Sequence, residues 1–260
     1  WVGDNIFTLP AVRELRRRYP RAYLAVMTRV SIAPLWRLIG DIDEVIPFNF
    51  RGGLRDRKAK REMVGILREK HFDLAVIFPR SFESAWLVFR ARISRRWGYR
   101  ADLRSFLLTR SPDCPSGYRH MHRADYYYRL LPGGAESASA PLARIEISPD
   151  LRDRALAIIK GEDPGIDEHK LVGFHPWASY GPAKCWPADR FAFLGKMLVE
   201  KSKMKVLIFG GPSDRRPSEQ LARAIGKGAI NLAGKSDLDE LAGLISLCRG
   251  FVANDSGPLH

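Results

Sequence analysis

Short apolar runs of strand length alternate with amphipathic stretches along this chain, and the alternation restarts after a break. That order leaves few architectures open, because strands joined through helices lie parallel and the crossovers cover the sheet. In the first block, Pro10–Tyr19 reads as a helix with Val12, Leu15 and Tyr19 on one stripe and Pro10 in its first turn. Ala22–Met27 reads as a strand, Ser31–Ile39 as a short helix and Glu44–Phe48 as a strand. Arg57–Lys70 is a basic amphipathic helix with Met63, Ile66 and Leu67 turned inward. Asp73–Phe78 is a buried strand, followed by a loop over Pro79–Ser84 and a helix through Phe89.

The break is Leu131–Ser139, rich in Gly, Ser and Pro, which reads as a loop or linker. A helix over Asp150–Lys160 leads into the second block. Its strands are read at Leu171–Phe174, Lys205–Phe209, Ile230–Leu232 and Gly250–Ala253, with helices at Ala188–Glu200, Ser218–Ile225 and Leu238–Cys248. The expected class is therefore α/β, with one domain over residues 1–150 and a second over 151–260, two parallel sheets facing one cleft. Hydrophobic residues make up 45% of the 260, enough to bury a sizeable core. Three cysteines without CxxC or CxxH spacing argue against a disulfide scaffold or a zinc module and suit structural thiols in a reducing compartment. No apolar run approaches the ~18 residues of a membrane span, and no signal peptide is visible.

Charge is unevenly shared. Of the net +14, residues 1–150 carry +11 and residues 151–260 carry +3, and the excess is mostly Arg. Arg makes bidentate contacts with carboxylate and phosphate, so an anionic partner is expected: nucleic acid, an anionic membrane surface or a phosphorylated small molecule. A basic, solvated surface accounts for the same balance.

Four segments carry chemistry. Asn254-Asp255-Ser256-Gly257 directly follows the last strand, where ligands of α/β sheets sit, and its Ser-Gly turn and a following helix would offer N–H groups to a diphosphate. An ordinary strand–turn–helix connection has the same sequence pattern. His175–Pro187 (HPWASYGPAKCWP) follows the strand LVGF on the same rim; Lys184 offers a cation and Ser179 a hydroxyl to a phosphate leaving group, although a single lysine is more often a solvated one. Asp4, ahead of the first helix, reads as a helix cap or as a general base facing the cleft. Gly210-Gly211-Pro212-Ser213-Asp214 is neither GxGxxG nor a Walker loop, so dinucleotide and P-loop readings lose support.

WVGDNIFTLPAVRELRRRYP, HPWASYGPAKCWP and NDSGPLH, in this order, resemble glycosyltransferase family 9, the heptosyltransferases. DLAVIFPRSFESA and GYRADLRSFLLT resemble that family's N-terminal domain, and GPAK-x-WP with NDSG-x-x-H is most similar to its type II members. The resemblance implies a GT-B fold, two Rossmann-like domains with the active site between them. It implies an inverting transferase using ADP-L-glycero-D-manno-heptose as donor and the inner core of lipopolysaccharide as acceptor, without metal or cofactor. Carried over by position, Asp4 is the family's base. Ser179, Tyr180 and Lys184, with Asp255, Ser256, Gly257 and His260, form the donor side. Arg80, Ser81, Ser84 and Arg100 are acceptor-side candidates. The implied location is cytoplasmic, peripheral at the inner membrane, where the Arg-rich half meets an anionic acceptor.

Three departures accompany the resemblance. Trp177 stands where the family usually has Gly and would crowd a backbone–phosphate approach; Cys185 replaces a usual Arg. The chain is expected to be an internal piece, missing a strand before Trp1 and the helix and further α/β units after His260. Alternatives are another GT-B sugar-nucleotide enzyme, such as an epimerase, and a basic nucleic-acid-binding protein, for which helix-turn-helix, zinc-finger and RNP-like motifs are lacking. His120, His122 and Tyr126–Tyr128 read as acceptor contacts or, more readily, as a helix packed on the linker; His71 and His169 read as surface residues.

Overall fold

The computed structural model describes residues 1–50, 56–133, 139–142, 144–178 and 185–260. The chain divides into two compact units. One comprises Trp1–Gly3, Pro34–Gly40 and Ile145–His260, and the other Asp4–Ala33 and Asp41–Arg144.

The unit ending at His260 is built on four parallel strands, β5 (Leu171–His175), β6 (Lys205–Ile208), β7 (Ala229–Asn231) and β8 (Gly250–Ala253), in the order β7-β6-β5-β8. Alternation along these strands assigns each side chain to a face. Leu171, Leu207, Phe209 and Ile230 point to the face covered by α6 (Pro149–Glu162) and α9 (Leu238–Ser246), through Ala155, Ile159 and Leu244. Val172, Phe174, Val206 and Ile208 point to the other, covered by α7 (Ala188–Ser202) and α8 (Arg215–Ile225), through Phe191, Leu221 and Ile225. Both faces are apolar, which is why these strands read as continuous hydrophobic runs. Gly173 belongs to the first face, where a Cβ would lie 2.5 Å from the Phe251 ring and 2.9 Å from the Phe209 ring; its lack of a side chain lets two aromatics pass over the sheet.

The other unit pairs its strands two by two. β1 (Ala25–Arg29) lies parallel to β2 (Glu44–Phe48), and β3 (Leu74–Ile77) parallel to β4 (Arg95–Gly98). The expected single sheet is thus seen as two strand pairs among the described residues. β4 escapes the sequence pattern because Arg-Arg-Trp-Gly has no apolar alternation. Its Trp97 carries Arg110 over its ring at 5.5 Å. α3 (Arg57–Glu69) buries Lys60, Met63, Val64 and Leu67, a stripe at i, i+3, i+4 and i+7 that leaves Ile66 40% exposed, against the expectation that Ile66 points inward. α4 (Phe82–Arg90) packs beside it, joined by the Lys60–Glu83 ion pair at 2.7 Å.

The first helix corrects the sequence reading more deeply. α1 spans Val2–Arg18, so Pro10 lies inside it, and the helix forgoes the bond that residue 10 would donate to the Ile6 carbonyl. Leu9, Ala11, Val12 and Leu15 are all buried, and this packing outweighs the missing bond; Tyr19 lies past the helix end and is exposed.

Near the end of α1 the Glu14 carboxylate, 8% exposed, accepts both Arg17 Nε and Nη2 at 2.7 Å and Arg18 Nε at 2.6 Å. The Arg17 hydrogen bonds, ahead of burial acting the other way, hold its pKa down to about 2 from 4.5. The stabilisation is complete above the unfolded value near 4.5 and is lost as pH falls through about 2. Arg17 is mostly exposed, so solvent screens part of it and about 1–2 kcal/mol remains. Glu14→Gln is expected to melt ~2–8 °C below wild type at pH 7. The two curves should converge near pH 2, as followed by circular dichroism.

Candidate active site

The donor-side candidates gather at the carboxyl ends of adjacent strands. β5 and β8 pair His175 with Ala253, so the segments leaving both strands start side by side. Ser256 Oγ lies 3.0 Å from His175 Nδ1 and donates to the Asn254 carbonyl at 3.2 Å. Burial pushes the His175 pKa below its usual value, so the imidazole facing Ser256 is neutral at neutral pH. Asp255 is exposed beside this turn. Gly257 opens a 3₁₀ turn over Gly257–Leu259. The His260 imidazole then lies against Gly3 of the same unit; a Cβ on Gly3 would come within 2.8 Å of its Cδ2. Ser179, Tyr180 and Lys184 lie outside the described residues.

Trp177 does not stand upright on this rim. Its indole N–H donates to Ser218 Oγ on α8 at 2.8 Å, and its Cδ1 sits where a Cβ on Gly210 would be, 2.9 Å away. Gly210, the first glycine after β6, therefore leaves room for this ring. Asp214 fastens the turn by accepting the Gly211 N–H at 2.8 Å.

The acceptor-side candidates also leave adjacent strand ends, β3 and β4. Ser81 caps α4, accepting the Ser84 N–H at 3.4 Å, and Ser84 Oγ donates to the Ser81 carbonyl at 2.7 Å. Arg80 donates to Tyr118 Oη at 2.9 Å and lies 5.0 Å from the centre of that ring. Its shielded Nε has no hydrogen-bond partner among the described residues. Arg100 is exposed and faces Asp113 at 3.5 Å. Beneath the loop is a residue that sequence reading missed, Arg104, fully buried, which donates to the carbonyls of Pro79, Ser81 and Tyr99 and to Ser84 Oγ.

Asp4 stands in the first turn of α1, not ahead of it, because the helix starts at Val2. Its Oδ1 accepts the Tyr127 hydroxyl at 2.9 Å. Tyr127 belongs to α5 (Arg123–Tyr128), with its ring edge-on to Phe78 at 5.6 Å. Burial first, then the Asp4 charge, pushes the phenol's pKa well above its usual value, so it remains a donor. Two of the three tyrosines thus divide their work: Tyr126 stacks on Tyr99 at 4.5 Å in the core, and Tyr127 donates to Asp4. α5 also meets the chain beyond the linker, where Asp125 accepts the Ala140 N–H at 2.6 Å. His71, His120, His122 and His169 are exposed. Among the described residues no cluster of three or more His, Cys, Asp or Glu has metal-binding geometry. No helix of the described residues is long and apolar enough to cross a membrane.

Residues 61–260 match glycosyltransferase family 9 (heptosyltransferase). The chain belongs to that family. Lipopolysaccharide heptosyltransferase 2 of Escherichia coli is 31% identical over 268 residues, covering 100% of this chain and 76% of that protein. The Salmonella typhimurium protein of the same name is 30% identical, with the same coverage. A solved structure described as E. coli ADP-heptose lps heptosyltransferase II superposes with a TM-score of 0.83 at 27% identity, over 100% of this chain and 78% of that one. The family 9 chain is a glycosyltransferase of GT-B fold, and its two strand-end clusters lie where α/β sheets of this kind bind ligands.

Proposed function

We propose that this family 9 enzyme transfers heptose with inversion from ADP-L-glycero-D-manno-heptose to the inner core of lipopolysaccharide. The observation that carries the reading is the identity of 30–31% to two lipopolysaccharide heptosyltransferases 2, with this chain covered end to end. The tethered turn at Asp255–Gly257, on the strand ends where a diphosphate would lie, supports it.

In the proposed reaction the acceptor hydroxyl attacks the anomeric carbon while Asp4 takes its proton. The bond from that carbon to the diphosphate breaks on the opposite face, and ADP departs with the electron pair. Lys184, Ser179 and Tyr180, with Asp255, Ser256, Gly257 and His260, hold the donor, and the Lys184 ammonium meets the charge that grows on the leaving diphosphate. Arg80, Ser81, Ser84 and Arg100 hold the acceptor. The chain would work in the cytoplasm at the inner face of the membrane, where its +14 balance favours an anionic surface.

The test is turnover of ADP-heptose by the full-length protein with a heptosylated inner-core acceptor, the new linkage being read by NMR. Expected are release of ADP and an inverted anomeric centre. Turnover of UDP-sugars in place of ADP-heptose would instead establish a different sugar-nucleotide enzyme.

A further inference from the structure

Where the chain leaves β3 and β4, three large apolar side chains face solvent: Phe82 is 42% exposed, Phe106 73% and Leu103 90%. The Phe82 and Phe106 rings meet at 6.3 Å, and Leu103 precedes Phe106 by three residues on the loop after β4. Phe89, also exposed, lies two turns along α4 from Phe82, with the Arg96 guanidinium 5.4 Å from the centre of its ring. Arg96 Nε donates to the Leu107 carbonyl at 2.6 Å, so this cation joins the Phe89 ring to the turn that carries Phe106.

The exposure is built into the backbone. Asp102 and Leu103 have φ of 45° and 55°, a region that Asp tolerates and Leu rarely enters. The next residue, Arg104, is drawn inward; its N–H donates to the Ala101 carbonyl at 3.0 Å and its carbonyl accepts the Leu107 N–H at 2.9 Å. Leu103 is thus held out on a tied loop, and backbone strain of this kind persists where the surrounding structure enforces it and function uses it. The charge around it is one-sided. Residues 80–110 hold eight Arg against two acids. Of the acids, Glu83 pairs with Lys60 at 2.7 Å and Asp102 acts on the buried Arg104 charge, whereas Arg90, Arg92, Arg95 and Arg100 are exposed.

We propose that this face docks on a bilayer bearing anionic headgroups, with Leu103 and Phe106 entering the interface and the surrounding arginines meeting lipid phosphates. Projecting apolar tips set among arginines suit a fluid phase that closes around them and carries its phosphates above its hydrocarbon; nucleic acid has the phosphates without the apolar phase, and a protein partner would have to supply fitted hollows. The proposal deepens the membrane reading above and rests on it for its purpose. Ser81 and Ser84 flank Phe82, and Arg100 begins the loop that bears Leu103, so docking would bring the proposed acceptor contacts to the surface in which a lipopolysaccharide acceptor is held.

The test is flotation of the full-length protein with vesicles of phosphatidylethanolamine and phosphatidylglycerol, compared with vesicles of phosphatidylcholine. The variant combines Leu103→Asn with Phe106→Ser. Both side chains are exposed and Asn accepts a positive φ, so the fold is kept, with Tm as the control. Expected is binding of wild type to the anionic vesicles alone, about 10-fold or more weaker in the variant, and weaker for both as NaCl rises from about 0.05 to about 0.5 M. On a deacylated, soluble acceptor kcat/KM should be the same in variant and wild type, while transfer to acceptor held in the anionic vesicles should fall in the variant. Equal binding of the two proteins, or equal binding to both kinds of vesicle, overturns the proposal. So does a wild type that is dimeric without lipid beside a monomeric variant, which assigns the face to a second copy of the chain. If wild type transfers heptose to the soluble acceptor but does not float, the docking surface fails and the proposed reaction stands; if it floats through this patch and transfers no heptose, the docking surface stands and the proposed reaction fails.

Discussion

Asp4→Asn is expected to lower kcat by about 10³-fold while leaving the protein folded. The asparagine keeps an oxygen that accepts the Tyr127 hydroxyl, so the 2.9 Å contact survives and only the capacity to take a proton is removed. General-base assistance is worth roughly 10²–10⁴, and a hydroxyl nucleophile at neutral pH needs it because its own proton is held tightly. Tyr127→Phe probes the same pair from the other side. It deletes the donor but not the carboxylate, so the proposed base stays and only the bond that Tyr127 gives it is lost; a fall of several-fold in kcat is expected, with thermal stability followed as control. Combined with Asp4→Asn it should add little, because an orienting bond has no value once the base is gone. Steady-state rates with saturating donor and acceptor make the measurement. Turnover of Asp4→Asn within threefold of wild type would remove Asp4 from the role of base.

Asp4 also shows what the sequence carries and what it withholds. The strand–helix alternation was readable because the strands of the β5–β8 sheet carry apolar side chains on both faces, fully buried on β5 and half-buried on the edge strand β8, which leaves apolar runs in the chain. β4 was not readable, since Arg95 and Arg96 hold their place in the pair through backbone bonds and, for Arg96, a guanidinium over the Phe89 ring, and nothing in their composition announces a strand. Pro10 misled because proline marks a helix start locally, whereas the burial of Leu9, Ala11 and Val12 is a tertiary fact that outweighs it. The residues proposed to bear the chemistry were legible as motifs through their resemblance to a family. Their supports were not. Tyr127 reaches Asp4 across 123 positions, Asn254 reaches Pro176 across 78, and Ser256 reaches His175 across 81. Contacts of that range leave no periodicity. A signal did exist for one of them: a polar residue flanked by a buried strand and a Ser-Gly turn, as Asn254 is, must find partners for its amide, and the nearest are the segments leaving the neighbouring strand.

Arg104 is the extreme case of a support invisible in sequence, and removing it is expected to be the largest single loss of stability. The guanidinium is fully buried, and burial pushes its pKa below the usual arginine value. What offsets that burial is a fan of bonds: Nε and Nη2 to the Tyr99 carbonyl at 3.2 and 3.0 Å, and Nη1 to the Pro79 and Ser81 carbonyls and to Ser84 Oγ. Arg104→Met keeps much of the volume but takes both guanidinium bonds from the Tyr99 carbonyl at the buried end of the fan, and leaves the Pro79 and Ser81 carbonyls without their charged donor. Bonds from a charged donor are each worth about 1.5–3 kcal/mol, and several go at once, so a loss of ~3–5 kcal/mol is expected after the released desolvation cost is set against it. In a chain of this size that is a fall of roughly 10 °C or more in Tm. Arg104→Lys should recover only part, since a single ammonium cannot span carbonyls on two separate segments. The pH dependence separates this effect from that of Glu14. A guanidinium stays charged throughout the working range, so the Arg104→Met deficit should be the same at about pH 3 and pH 7, whereas the Glu14→Gln deficit should be smaller at the lower pH. The functional consequence follows from position. Arg104 holds the loop that carries the proposed acceptor contacts Arg80, Ser81 and Ser84, so a variant still folded at assay temperature should show a raised KM for acceptor with the donor KM unchanged. If Arg104→Met melts within 2 °C of wild type, the bonds to the 79–84 loop do not hold it, and the acceptor side must be organised by other residues.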